Sequence, residues 1–224
     1  MHLIPLNNFD LLAVTGPDRR KFLQGQVSCN VDLLSPTQSL QGALCNLKGR
    51  VISDFLLVEH DDVCYLRLAP GMGQVVKAVL DRYIVFSKAE CQPVTGPVTR
   101  YGISGPAVPA ELEAWLEACP QADWETSFSS GWTVVKIPGQ LPRFELWQWP
   151  DAVAAPAAAA PHATSAVDHN SDRQWRIEDI RAGIVHITPA MSEQYLPATL
   201  NYDRSGVINF KKGCYTGQEI VARM

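Results

Sequence analysis

The chain has 224 residues and a formal net charge of -4, and 46% of its residues are hydrophobic. This length allows one large domain or two small ones, with a composition that is ordinary for a globular protein. The acidic balance argues against a dedicated nucleic-acid surface, and no apolar run of eighteen residues indicates a membrane span.

The N-terminus has no basic region followed by a long apolar core, so it does not resemble a secretory signal. The six cysteines are scattered, and none forms a C-x-x-C pair, so metal-finger spacing is absent. We therefore expect a cytoplasmic protein with reduced thiols and no resident metal site.

The first ninety residues predict a mixture of hairpin strands and single helices. Apolar alternation predicts strands over residues 11–15, 40–47, 51–58 and 63–68 and a short apolar strand over 84–86. Lys48-Gly49-Arg50 reads as a hairpin turn between the second and third strands. Helices are predicted from Pro17 to about Val27, where proline suits the first turn, and over residues 75–83, where apolar side chains share one face.

The rest of the chain up to residue 183 predicts one helix, a pair of strands, a linker and a second helix. Apolar residues at 112, 115, 116 and 119 have i, i+3, i+4, i+7 spacing and predict a helix, and residues 132–137 and 144–149 predict a pair of strands. Residues 152–166 are almost entirely Ala and Pro, which predicts a linker or loop. A short helix over 175–180 is expected to stop at Gly183. The predicted class is α+β, with helices packed on one face of small sheets.

The most distinctive segment lies near the C-terminus, and we call it the signature segment: Lys211, Lys212, Gly213, Cys214, Tyr215, Thr216, Gly217, Gln218 and Glu219. Its two glycines permit a tight, exposed turn around the cysteine. Nearby ammonium groups favour the thiolate form of Cys214 and raise its reactivity. The residues from Gln218 onward begin either a helix or a strand. An alternative for any single cysteine is an inert place in the core.

The signature segment resembles that of the YgfZ family, folate-binding proteins related to the aminomethyltransferase (T-protein) of the glycine cleavage system. Residues 22–31, 48–54 and 175–183 resemble other segments of that family. The resemblance implies two interleaved α+β lobes with a ferredoxin-like element around a folate cleft. It also implies a C-terminal β-barrel domain, which this chain is expected to lack.

On this basis, residues 1–150 are expected to form the folate-binding region. Residues 151–173 are expected to form the linker, and residues 174–224 to complete the site. The implied function is that of a tetrahydrofolate-binding accessory protein for iron–sulfur cluster assembly or repair, with indirect effects on tRNA modification. The expected partners are folate and iron–sulfur client enzymes or cluster carriers, without direct contact to nucleic acid. The alternatives are a folate-dependent aminomethyltransferase and a structural fragment that retains no activity.

The resemblance also suggests which residues hold folate. Phe9 and Trp175 match aromatic folate contacts of the family, the first of which is typically tryptophan. Arg181 stands where the T-protein carries a carboxylate, and an arginine has no acceptor for the amino groups of a pterin. Arg181 therefore either binds a folate carboxylate or pairs with Glu178 or Asp179.

Four residues bear on whether the chain could catalyse a reaction. Ser53 stands where the T-protein has the first of two aspartates. That aspartate carries the aminomethyl-transfer chemistry, and a serine hydroxyl cannot supply the negative charge of its carboxylate. Asp54 is expected to be a surface or hydrogen-bonding residue. The candidates for catalysis are Cys214 and Lys212, with Cys214 acting as a redox thiol, a transient cluster or metal ligand, or a nucleophile. One cysteine cannot hold a cluster, which takes about four ligands.

Overall fold

The computed structural model describes residues 3–6, 8–114, 116, 118–150, 152 and 169–223. The chain divides into two compact units, and each is built from two separate stretches of sequence. We call them unit 1, Met1–Asn7 with Thr95–Ile184, and unit 2, Asn8–Val94 with Val185–Met224.

The described residues contain ten strands and five α-helices. The strands are β1 (Ile4–Pro5), β2 (Asp10–Thr15), β3 (Leu40–Cys45), β4 (Val51–His60), β5 (Val63–Leu68), β6 (Glu90–Pro93), β7 (Thr99–Ser104), β8 (Thr126–Ser129), β9 (Trp132–Ile137) and β10 (Arg143–Gln148). The helices are α1 (Arg19–Gln24), α2 (Gly73–Ile84), α3 (Val108–Glu113), α4 (His169–Arg181) and α5 (Gln218–Val221). Short 3₁₀ turns lie at Val31–Leu33 and Pro197–Leu200.

Unit 1 is an antiparallel sheet with the strand order β1-β7-β10-β9-β8. The predicted strand pair is present, because β9 and β10 lie side by side with Val134 opposite Leu146. The apolar face of this sheet packs on α3 through Val108 and Leu112. Burial of these aliphatic and aromatic side chains is the main stabilising contribution to the unit.

Unit 2 is an antiparallel sheet with the strand order β3-β4-β5-β2-β6. The predicted hairpin joins β3 to β4, and its turn is fixed by Asn46, whose side-chain oxygen accepts bonds from the backbone N–H groups of Lys48 (2.9 Å) and Arg50 (3.0 Å). One core cluster of this unit lies between the sheet and helices α1 and α2. A second cluster joins β3 and β4 to the C-terminal stretch through Val51, Ile187 and Tyr202.

The predicted α+β class is confirmed, but several predicted elements differ from the structure. Residues 84–86 are not a strand, because Ile84 ends α2, and Val85 and Phe86 are 70% and 90% exposed. The helix predicted over 112–119 ends at Glu113, although Leu116 and Cys119 are still buried in the core. Pro120 disfavours helical backbone at the residue before it. The first helix covers only Arg19–Gln24.

The linker predicted over residues 151–173 lies mostly outside the described residues. Of its described part, Ala152 packs against the core of unit 1, and residues 169–173 are the first residues of α4. Gly183 follows α4 with a φ of +73°, as expected of a residue that ends a helix. In the part of the chain that the structure describes, no helix is long and apolar enough to cross a membrane.

Candidate functional site

The signature segment lies in unit 2 and turns directly into α5, so the helix alternative holds. Gly217 makes this turn with a φ of +84°. A Cβ atom at Gly217 would lie 2.4 Å from the main-chain oxygen of Asn46, in the turn of the β3–β4 hairpin. Gln218 closes the turn by accepting a bond from the Tyr215 N–H (3.2 Å), while Glu219 is exposed. Only glycine fits the backbone at this point of the segment.

Lys212 is buried, and its ammonium group is directed at main-chain oxygens. Its Nζ donates to the oxygen of Gln24 (2.7 Å) and to that of Val27. It also lies 5.0 Å from the centre of the Tyr215 ring, within the range of a cation–π contact. Burial lowers the pKa of Lys212 to about 8, and the attraction of Cys29 and Asp32 opposes that shift.

Further contacts join the C-terminal stretch to the loop after α1. Thr216 donates from its backbone N–H to the Gly25 oxygen, and its hydroxyl contacts the side-chain oxygen of Gln26, both at 3.2 Å. The Asn209 N–H donates to the oxygen of Ser28 (3.0 Å). Two of the segments that carry the family resemblance, residues 22–31 and the signature segment, are therefore bonded to each other in the folded chain.

Cys214 is exposed, whereas the other five cysteines are buried. Burial raises the pKa of the Cys29 and Cys45 thiols to about 12, and that of Cys64, Cys91 and Cys119 to about 11. The positive charge of Lys212 acts on Cys29, where it opposes the effect of burial. Lys211 and Gly213 are exposed beside Cys214, and a Cβ atom at Gly213 would have no neighbour within 4 Å.

Trp175, a predicted folate contact, lies in α4 of unit 1 and is 6% exposed. The Arg143 guanidinium of β10 lies 4.1 Å from the centre of its ring. Gly102 of β7 permits the ring to approach the sheet, since a Cβ atom there would lie 2.6 Å from Trp175 Cε3. Phe9, the other predicted aromatic contact, is half-buried in unit 2.

Arg181 forms one of the ion pairs that the sequence predicted for it. It pairs with Glu178 at 2.7 Å, one turn earlier on α4, and its side chain is 54% exposed. Asp179 instead pairs with Arg143, and both side chains are buried. Sequence reasoning missed Arg143, because its partners lie more than thirty residues away and a single arginine in a strand has no distinctive spacing.

Ser53 and Asp54 are both buried in β4. The Ser53 hydroxyl donates to the main-chain oxygen of Asp54 (2.8 Å), and Asp54 Oδ1 accepts the Ile187 N–H (2.6 Å). Burial raises the pKa of Asp54, against the opposing effects of His186, this N–H and Arg67. Of the two roles expected for Asp54, surface or hydrogen-bonding residue, the structure supports the second.

His186 and Tyr202 lie in the same part of unit 2 as Asp54. His186 Nδ1 is 3.9 Å from Asp54 Oδ2 and 3.5 Å from Arg67 Nη1. Tyr202 is fully buried, and burial followed by the charge of Asp54 raises the pKa of its phenol. Within the described ranges, no three His, Cys, Asp or Glu side chains converge as a metal site would require.

Comparison with known proteins confirms the resemblance seen in the sequence. The chain is 32% identical over 221 residues to the tRNA-modifying protein YgfZ of Pectobacterium carotovorum subsp. carotovorum, covering 99% of this chain and 65% of the relative. It is 28% identical over 218 residues to the protein of the same name from Vibrio atlanticus, covering 97% and 64%. The chain thus spans slightly less than two thirds of the length of these relatives. No family model matches it.

The fold has a solved counterpart. The aminomethyltransferase T of the glycine cleavage system from Bartonella henselae matches 99% of this chain and 62% of its own, with a TM-score of 0.67 and 16% sequence identity. At this identity the match shows the fold alone. The chain is therefore a homologue of the YgfZ proteins along nearly all of its length, built on the fold of the glycine cleavage T-protein.

Proposed function

We propose that this chain binds tetrahydrofolate and acts as an accessory protein in iron–sulfur cluster assembly or repair, affecting tRNA modification through the enzymes it supports. The observation that carries the proposal is the match to proteins named tRNA-modifying protein YgfZ over 97–99% of the chain. The contacts of the signature segment support it. Lys212 donates to the main-chain oxygen of Gln24, and Gly217 leaves room for the main-chain oxygen of Asn46.

The likeness in fold to a T-protein supports folate as the ligand. A pterin needs an aromatic face and a few directed polar groups. Trp175 is a buried aromatic ring, and Arg143, whose guanidinium lies over that ring, carries buried N–H donors that no described residue accepts. These residues fit a planar ligand that is rich in acceptors.

The alternative, aminomethyl transfer, is disfavoured by Ser53. Its hydroxyl is fully buried and donates to the main-chain oxygen of its neighbour. It cannot supply the negative charge that a carboxylate would offer to a cationic centre. Asp54 is present, but burial raises its pKa and one of its oxygens is held by a backbone N–H.

We further propose that the Cys214 thiol contacts the client or carrier protein. It is exposed, beside Lys211, while the other five thiols are buried. Because about four ligands are needed to hold a cluster, a single cysteine would contact a cluster only together with thiols of a client or carrier protein.

Complementation tests this function. A bacterium that lacks its own YgfZ is supplied with the chain, with Cys214→Ser, or with Cys119→Ser as a matched control from the buried thiols. We expect the chain and the control to restore iron–sulfur enzyme activity and tRNA modification, and Cys214→Ser to restore neither. Full restoration by Cys214→Ser would remove the thiol from the proposal. Separately, an aminomethyl-transfer assay on the purified chain is expected to show no turnover, and measurable turnover would favour the alternative.

A further inference from the structure

Arg143 carries more hydrogen-bond donors than its surroundings use. The residue is 1% exposed, and its Nη2 donates to Asp179 Oδ1. Its Nε and Nη1 atoms have no hydrogen-bond partner among the described residues. A guanidinium has five N–H donors and no acceptor, and a buried donor without a partner is costly. Arg143 therefore retains donors that no described residue accepts and that a bound acceptor would satisfy.

A second buried arginine in the same sheet provides the contrast. Arg100 lies on β7, opposite Trp147 of β10, and is 8% exposed. Its Nε donates to the main-chain oxygen of Leu6 (3.0 Å), and its Nη1 donates to Glu145 Oε1 (3.2 Å). The two atoms that lack partners on Arg143 are thus paired with protein acceptors on Arg100. Burial of an arginine in this sheet does not by itself leave donors unused.

The ring of Trp175 beside Arg143 indicates the kind of acceptor. The guanidinium carbon lies 4.1 Å from the ring centre, and Gly102 leaves room for the ring against the sheet. A guanidinium that lies over an aromatic ring and has unused N–H donors suits a ligand with oxygen or nitrogen acceptors at its edge. An ammonium ligand would find no acceptor on Arg143.

We propose that Arg143 is a ligand-recognition residue, and that its Nε–H and Nη1–H donate to acceptor atoms of a planar ligand held against Trp175. The inference rests on the folate binding proposed above and names the group that recognises the ligand. A reduced folate has such acceptors in two places, the oxo group of the pteridine and the carboxylates of the glutamate. Two fragments separate these sources: 6-methyltetrahydropterin has the pteridine but no carboxylate, and p-aminobenzoylglutamate lacks the pteridine.

The test is calorimetric titration of tetrahydrofolate and of both fragments into the parent chain, Arg143→Lys and the matched control Arg100→Lys. Lysine keeps the charge but loses the planar fork. We expect Arg143→Lys to bind tetrahydrofolate about ten- to a hundredfold more weakly, the range for hydrogen bonds made by a charged group. Arg100→Lys is expected to bind within about threefold of the parent. If Arg143→Lys also binds one of the two fragments more weakly than the parent chain does, that fragment carries the acceptor atoms to which Arg143 donates.

A purely structural role for Arg143 predicts a different result for Asp179→Asn. That change removes the charged partner of Arg143 but leaves all of its donors in place. If Arg143 recognises ligand, Asp179→Asn is expected to bind tetrahydrofolate as well as the parent or better. If Arg143 only ties β10 to α4, Asp179→Asn will weaken binding as much as Arg143→Lys does, and the proposal is wrong.

A measurement on the unmutated chain covers the case in which a variant does not fold. The Nε–H resonance of Arg143 is expected to shift when tetrahydrofolate is added, and that of Arg100 to stay in place. An unshifted Arg143 signal at saturating ligand overturns the proposal while folate binding stands. If the parent chain binds neither tetrahydrofolate nor either fragment, the folate proposal itself fails, and this inference fails with it.

Discussion

Lys212 Nζ donates a 2.7 Å hydrogen bond to the main-chain oxygen of Gln24, although the two residues are 188 positions apart. The bond connects the signature segment to the last residue of α1, and the same Nζ also donates to the oxygen of Val27, in the loop that follows. Lys212 is therefore a buried charge held by carbonyl groups. Its positive charge lowers the pKa of the buried Cys29 thiol and so opposes the effect of burial on that thiol.

Lys212 should give the stability of the chain a distinctive pH dependence. Its folded pKa of about 8 lies below the ordinary value of 10.5. Between these values the unfolded chain holds a proton that the folded chain has released, so the parent gains free energy of unfolding as pH rises. Relative to Lys212→Met, we expect a gain of at most about 1.4 kcal/mol per pH unit from pH 8 to pH 10.

Urea unfolding at pH 7.5, 8.5 and 9.5 measures this difference. Lys211→Met is the control, because Lys211 is exposed in the same segment. The parent and the control should change in parallel, and only Lys212→Met should lose the slope. A constant difference between the parent and Lys212→Met at all three pH values would show that burial does not lower the pKa of Lys212.

Gly217→Ala should be strongly destabilising because the new Cβ would meet the Asn46 oxygen at 2.4 Å. Gly206→Ala is a closely matched control, since Gly206 has a φ of +79° against +84°, but a Cβ atom added there would have no neighbour within 4 Å. Both substitutions carry the cost of a left-handed backbone, about 1–2 kcal/mol. Gly217→Ala should cost about 1–3 kcal/mol more, as overpacking does. Equal losses in chemical denaturation would mean that the hairpin turn moves aside freely.

Cys214 should be the first thiol to react with iodoacetamide in the folded chain at pH 7.5. It is exposed, while burial shields the other five and raises their pKa values to about 11 or 12. Because the thiolate is the reactive form, the buried thiols should react at least about a hundredfold more slowly. Peptide mass mapping after partial labelling identifies the site, and Cys214→Ser should label only after denaturation. Labelling of another cysteine first would contradict the structure around Cys214.

These contacts show what the sequence can and cannot predict. Local patterns were sufficient for the β3–β4 hairpin and for β9 and β10, since alternation and turn residues act over a few positions. They failed at Val85 and Phe86, whose apolar side chains are exposed where a strand was expected. An apolar run predicts burial, and burial depends on the neighbours that the tertiary fold supplies.

The polar contacts were harder still to predict. Arg143 pairs with Asp179 across 36 positions, and Asp54 meets Ile187 across 133. No spacing rule links residues that meet only through the packing of distant elements. The family resemblance pointed to Trp175 and to the signature segment. It could not show that the Arg143 guanidinium lies over the Trp175 ring, or that Lys212 donates to the main-chain oxygens of Gln24 and Val27.

Asp54→Asn should become more favourable for stability as pH rises. Burial raises the folded pKa of Asp54 above its unfolded value, so its contribution to stability is full below about pH 4 and is lost as pH rises through the folded pKa. Asparagine can still accept the Ile187 N–H but does not ionise. The free energy of unfolding of the variant should therefore rise relative to that of the parent as pH increases above about 4, as measured by urea unfolding. Asp62→Asn, at a side chain that is 93% exposed, is the control, and an equal change in both variants would contradict the burial of Asp54.

The central claim is folate binding, and calorimetric titration of tetrahydrofolate tests it most directly. The parent chain should bind one equivalent, and Trp175→Leu, which keeps apolar volume but loses the aromatic face, should bind more weakly by about 1–3 kcal/mol, taking base–aromatic stacking as the analogue. Trp132→Leu controls for loss of a buried tryptophan from the same unit, since Trp132 is 3% exposed. It should bind like the parent. No heat of binding from the parent chain, or equal affinity in the parent and Trp175→Leu, would contradict the account.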